Sequence, residues 1–164
     1  RNHYVGRTFI EPTQQIRSLG VKLKHSANKS LIKNKSLILI DDSLVRGTTS
    51  EKIIKMLYDA GAKEVHLRIA SPPIKYPDFY GVDTPNQNEL LASKFDLEGM
   101  RKFINAKTLE FLTLEGLYKS MGYEKRNLTY PQFTDHCFTG DYPIKPIDAH
   151  DKSFIDDQIS YMSS

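Results

Sequence analysis

From Ser36 the chain runs Leu-Ile-Leu-Ile and then into two acids, Asp41 and Asp42. A short, unbroken apolar run of this kind predicts a strand buried on both faces of a parallel sheet. Beyond the loop 42–49, Ser50 is the expected cap of a helix. Its apolar residues Ile53, Ile54, Leu57 and Ala60 recur at helical spacing, with Glu51 in the first turn and Gly61 at the end. A second apolar run, residues 65–70, follows. Strand, helix and strand at this spacing form a βαβ unit, whose crossover is right-handed and whose strands are parallel. The predicted fold class is therefore α/β.

Pro72, Pro73 and Pro77 interrupt the pattern after the second strand. Helical spacing returns over 88–94 and 97–104, a short strand is expected over 108–112, and a helix over 114–121 whose apolar positions belong to a core. From Gly122 onward, Pro131, Pro143 and Pro146 stand among glycines, aspartates and aromatics, which predicts irregular chain wrapping over a surface. Upstream, residues 1–35 are polar and carry seven Lys or Arg from Arg7 to Lys35. They read as a mobile basic lead-in, with short helices after Pro12. The expected organisation is thus a basic loop and lead-in over 1–35, a core over 36–121 and a wrapping segment over 122–164.

Length and composition narrow the classes. A chain of 164 residues makes one domain or part of one. With 39% hydrophobic and 26% charged residues and a mean hydropathy of −0.47, it is neither membrane-spanning nor disordered in type. The longest apolar stretch, Leu37–Ile40, is far short of the roughly 20 residues of a span. A net charge of +3, spread along the chain, suits a small polyanion better than nucleic acid. The single cysteine, Cys137, excludes an internal disulfide framework and a multi-thiolate metal site, and it points to a reducing compartment, by default the cytoplasm. The chain opens on Arg1 with no signal peptide behind it, and the absence of an initiating Met leads us to expect a longer natural protein.

The chemistry concentrates between Leu37 and Ser50. Two carboxylates end a strand, where open α/β sheets place their ligands, and Arg46-Gly47-Thr48-Thr49-Ser50 opens a helix. Gly47 permits a tight turn, so successive N–H groups converge on an anion beside the positive end of the helix dipole. Paired acids would repel a phosphate placed against them, so they face sugar hydroxyls or a divalent cation. A sugar phosphate satisfies both halves.

This stretch resembles the signature of the type I phosphoribosyltransferases, at every position from Leu37 to Thr49. The resemblance implies that Asp41 and Asp42 hold the ribose hydroxyls of phosphoribosyl pyrophosphate (PRPP), that both acids lie at a Mg²⁺, and that Ser43, Arg46, Gly47, Thr48, Thr49 and Ser50 bind the substrate, the last five around its 5′-phosphate. Tyr4-Val-Gly-Arg7-Thr-Phe-Ile-Glu-Pro12-Thr-Gln-Gln15-Ile-Arg17 is similar to the flexible loop of the glutamine PRPP amidotransferase family. Asp78-Phe-Tyr-Gly81-Val-Asp83 and Cys137-Phe-Thr-Gly140-Asp-Tyr-Pro143 resemble later stretches of the same family, in the same order. The likeness covers 2–143; residues 144–164 match nothing.

By resemblance, Arg7 and Lys24 are the loop's catalytic contacts to the pyrophosphate leaving group, whereas Lys22, Lys29, Lys33 and Lys35 are a solvated face. The family's reaction moves glutamine-derived ammonia onto PRPP, giving 5-phosphoribosylamine and pyrophosphate in the first step of purine biosynthesis. That implies an N-terminal glutaminase domain, which this chain lacks, and a phosphoribosyltransferase fold incomplete on its N-terminal side. Homo-oligomers and inhibition by purine nucleotides are further expectations. Some members bind an iron–sulfur cluster, but one thiol cannot hold it, and Asp78 and Thr134 stand where those relatives carry further cysteines. No cluster is expected. The histidines, His3, His25, His66, His136 and His150, lack metal-ligand spacing, and none is assigned to catalysis; His66 is expected on a strand's polar face, and Cys137 packs as a small apolar group. The alternatives are a PRPP-sensing regulator without catalysis, a transferase for another base, and a truncated product with no activity of its own.

Overall fold

The computed structural model describes residues 27–82, 84 and 86–144. A short helix α1, Lys29–Ile32, leads in, and β1, Ser36–Asp41, follows. Helix α2, Thr48–Asp59, crosses to β2, Glu64–Ile69. Next come a 3₁₀ turn, Gln87–Glu89, and helices α3, Leu91–Lys94, and α4, Leu97–Phe103. Strand β3, Thr108–Phe111, helix α5, Leu114–Ser120, and a last turn α6, His136–Thr139, complete the series. The three strands form one parallel sheet in the order β1-β2-β3, with Leu39 level with Leu67 and Leu67 with Leu109.

Helices α2 and α4 seal one face of that sheet. Ile54, Val65, Leu67 and Ile104 are fully buried there, joined by Leu44, Ile69, Leu91, Met100 and Leu109. Alternation on β2 is strict: Val65, Leu67 and Ile69 point inward, while Glu64, His66 and Arg68 take the other face. His66 thus lies on the polar face as expected, with its Nδ1 2.9 Å from Thr108 Oγ1.

Two expectations are corrected. β1 is not buried on both faces, because Ile38 is 69% and Ile40 72% exposed. Among the described residues it is the outer strand of the sheet, and none of them packs on its far side. Nor does Ser50 cap the first long helix: α2 begins at Thr48, Gly47 is its N-cap, and Ser50 is buried inside the first turn. A glycine with φ of +78° reverses the chain sooner than a serine cap could. The other end matches, with Gly61 at φ +94° just beyond the last turn.

Residues 122–144 wrap irregularly apart from α6. The wrap lies against residues 75–82, with Lys75 and Tyr76 N–H groups donating to the Cys137 carbonyl at 2.9 and 3.2 Å. Among the described residues no helix is long and apolar enough to cross a membrane.

Candidate functional site

The site begins where β1 ends. Asp41 is its last residue, half-buried, and its carboxylate accepts the Asp42 N–H at 3.1 Å. Asp42 is exposed and accepts the Ser43 hydroxyl at 2.9 Å. Leu44 plunges into the core at 2% exposure, which pins the middle of the loop and leaves the acids before it and Arg46 after it at the surface.

Gly47 closes the turn. A side chain there would be strained by the positive φ, and its Cβ would fall 2.7 Å from Leu91 Cδ2 and 3.1 Å from Phe103 Cε1. The Leu91 N–H donates to the Val45 carbonyl at 2.8 Å, so the loop is fastened to the start of α3. Helix α2 then exposes an uncapped start. Asn28, Asp96 and Thr113 each place a side-chain oxygen on a backbone N–H of α1, α4 and α5, but no side chain does so for α2. Its first intrahelical bond is Glu51 N–H to Gly47 O at 2.9 Å, and the N–H groups of Thr48, Thr49 and Ser50 have no acceptor within the helix. Donors at the positive end of a twelve-residue helix suit an oxyanion.

The structure therefore brings together Asp41, Asp42, Ser43, Arg46, Gly47, Thr48, Thr49 and Ser50 within one loop and the helix turn that follows it. Arg7, Lys24 and Lys22 lie outside the described residues, while Lys29, Lys33 and Lys35 are exposed, as a solvated face requires. Asp41 and Asp42 offer hard oxygens of the kind Mg²⁺ accepts, and a Mg²⁺ that keeps several waters needs only one or two protein carboxylates. No set of three or more candidate ligands occurs among the described residues.

A second polar centre, invisible in the sequence, joins the wrap to α5. Arg126 clasps Asp135 at 2.6 and 3.2 Å and also bonds Asp141. Tyr118 donates to Asp135 at 2.8 Å, and Thr139 at 3.2 Å. Burial alone would raise the Asp135 carboxyl, but the Arg126 and Tyr118 hydrogen bonds outweigh it and hold it below the usual range. Burial, aided by Asp135, pushes the Tyr118 hydroxyl up to about 12. Beside this centre, His136 Nε2 meets Asp78 Oδ1 at 2.6 Å, and that carboxylate also accepts the N–H groups of Tyr80 and Val82. Where the resemblance puts cysteines of cluster-binding relatives, the chain thus has one member of a buried Asp–His pair and an exposed Thr134. Burial pushes the half-buried Cys137 thiol up, consistent with a packing role.

Comparison with known proteins shows what the chain is similar to. The chain is 60% identical to an amidophosphoribosyltransferase of Rhizobium etli over 154 residues, which is 93% of this chain and 31% of the relative. The chain is homologous to part of the amidophosphoribosyltransferases. It is 51% identical to the chloroplastic amidophosphoribosyltransferase 2 of Arabidopsis thaliana, covering 96% of this chain and 28% of the relative. Among solved structures, the glutamine PRPP amidotransferase of B. subtilis complexed with ADP and GMP superposes with a TM-score of 0.75 at 44% identity, covering 94% of this chain and 34% of that one. The chain thus spans about a third of the length of the amidophosphoribosyltransferases it matches. No protein-family model matches it.

Proposed function

We propose that this chain is the PRPP-binding part of a longer amidophosphoribosyltransferase, which moves ammonia derived from glutamine onto PRPP and releases 5-phosphoribosylamine and pyrophosphate. The observation that carries this reading is the left-handed Gly47, which opens the uncapped start of α2 five residues beyond paired acids at the end of a parallel strand. It stands in a chain with 60% identity to a relative of that name.

In this reading the N–H groups of Thr48, Thr49 and Ser50, their hydroxyls and the Arg46 guanidinium receive the 5′-phosphate. Asp41 and Asp42 accept the ribose hydroxyls, which fixes the sugar and aims its anomeric carbon outward. The same two acids would hold the Mg²⁺, which when bound supplies positive charge against the departing pyrophosphate. Arg7 and Lys24 add to that charge from the lead-in. Ammonia is already a nucleophile, so no side chain of the loop has to act as a base. It adds to the anomeric carbon as the C–O bond to pyrophosphate breaks, and the product amine sheds a proton to solvent. A glutaminase domain elsewhere in the longer protein supplies the ammonia, and homo-oligomerisation and a reducing cytoplasmic setting belong to the same reading.

The test is ammonia-dependent pyrophosphate release by the full-length protein. Asp41→Asn combined with Asp42→Asn is expected to lower it by about a hundredfold or more while glutamine hydrolysis stays measurable. Unchanged release in that variant would sink the assignment, and a wild-type protein that binds PRPP without releasing pyrophosphate would be a sensor instead.

A further inference from the structure

Arg46 is held by one partner that lies far away in the chain. Its Nε donates to Glu89 Oε2 at 2.7 Å, across a separation of 43 residues. The guanidinium has five N–H donors in a planar fork, and Glu89 occupies one edge. The two terminal nitrogens make no hydrogen bond to any described residue. They form the second face of the fork, and Arg46 sits in the residue immediately before the left-handed glycine.

Both ends of this pair are fixed by backbone. Glu89 ends the 3₁₀ turn Gln87–Glu89, in which the Glu89 N–H donates to Asn86 O at 2.8 Å and the Leu90 N–H to Gln87 O at 3.0 Å. Two residues on, the Leu91 N–H bonds Val45 O at 2.8 Å, and the Leu91 side chain fills the space beneath Gly47. Leu90 and Leu91 are buried at 0% and 3% exposure, so the turn carrying Glu89 cannot drift relative to the loop carrying Arg46. An exposed ion pair between two mobile side chains contributes little. Here the carboxylate is mounted on a rigid turn, and what it provides is direction.

We propose that Glu89 is a positioning residue for the phosphate cradle: it grips the Nε edge of Arg46 and thereby presents the two terminal nitrogens to the substrate's phosphate. The proposal rests on the reading of Arg46 as a phosphate ligand. Glu89 itself never touches substrate. Its carboxylate holds the Nε edge, which lowers the rotamer entropy that Arg46 would otherwise lose on binding. A long arginine without this brace would still be charged, but it would sample many orientations before each encounter.

The experiment is steady-state kinetics of ammonia-dependent pyrophosphate release by the full-length protein, comparing wild type, Glu89→Gln, Glu89→Asp, Arg46→Ala and the double variant Arg46→Ala with Glu89→Gln. Glu89→Gln is expected to raise KM for PRPP about fivefold while kcat stays within about twofold, because the lost interaction concerns binding and not the transferring bond. Glu89→Asp, which keeps the charge, recovers part of that loss. Once Arg46 is alanine, Glu89→Gln adds no further effect. The thermal midpoint stays that of wild type, since the Glu89 side chain is 52% exposed. An unchanged KM in Glu89→Gln, or an additive effect on top of Arg46→Ala, overturns the positioning role while leaving the cradle assignment intact. A lower KM in Glu89→Gln also overturns it, because Glu89 would then be competing with the phosphate for Arg46. A wild-type protein without PRPP-dependent release overturns both.

Discussion

The loop after β1 and the wrap against residues 75–82 are both polar regions of the chain, yet they handle their polar groups in opposite ways. In the wrap most groups are spent inside the protein, although the buried His136 Nδ1 has no hydrogen-bond partner among the described residues. Asp135 takes bonds from Arg126, Tyr118 and Thr139, Asp78 takes three, and the Tyr142 hydroxyl donates to Pro77 O at 2.7 Å. In the cradle the helix start is left without a side-chain cap, and two nitrogens of Arg46 stay unengaged among the described residues. The first arrangement is what stability asks for, since a buried polar group without a partner is costly. The second is what an anion site asks for. A region whose donors are mostly satisfied internally has little left to offer a ligand.

This contrast predicts that substitutions in the two regions separate into stability effects and binding effects. The largest is expected at Asp135. Asp135→Ala leaves the Arg126 guanidinium, whose side chain is only 12% exposed, with Asp141 alone, and strands the Tyr118 hydroxyl. Removing one partner of a buried pair costs about 3–5 kcal/mol, so chemical denaturation should show a loss of that size. PRPP affinity of the folded fraction should stay unchanged. A denaturation midpoint equal to that of wild type would mean that the wrap is not held by this centre. Gly47→Ala should behave the other way round. A non-glycine residue in the left-handed region costs about 1–2 kcal/mol, and the clash with Leu91 shifts the loop. The stability loss should therefore be smaller than at Asp135, while KM for PRPP rises by about tenfold or more. A variant that loses stability but binds PRPP normally would show that the turn is structural only.

The same contrast explains what could be read from the chain. The βαβ unit was legible because apolar runs and helical spacing are local patterns, and helices α4 and α5 and strand β3 fall within a residue or two of their expected limits. The loop's candidate chemistry is contiguous from Asp41 to Ser50, so the proposal of an anion site there needs only local sequence. Exposure of one face of β1 among the described residues is not legible, because Leu-Ile-Leu-Ile looks the same whether one face or two are covered. Ser50 is not the cap because Gly47 takes that position first. Glu89 and the Arg126–Asp135–Tyr118 centre were not legible at all. Their members lie 9 to 43 residues apart with no periodicity joining them, and Asp78 with His136 spans 58.

Acid should also tell the regions apart, with the smallest effect of the three. The Asp78 carboxyl is opposed by burial, but the N–H groups of Val82 and Tyr80 and the His136 contact outweigh it and hold it below the ordinary 3.8. Asp135 is likewise lowered, its burial outweighed by Arg126 and Tyr118. A group whose pKa is lower folded than unfolded binds more protons in the unfolded state, so its stabilisation is fully present above the unfolded value and is lost as pH falls through the folded one. Stability should hold as pH drops from 7 toward 4 and fall only below about 4, as the unfolded chain begins to take up protons that the folded wrap refuses. The fall should be shallower in Asp78→Asn and in Asp135→Asn, which have one such group fewer, and unaltered in Glu89→Gln. Denaturant titrations between pH 3 and 7 would show it, and an identical acid slope in Asp135→Asn and wild type would move the acid-sensitive group out of the wrap.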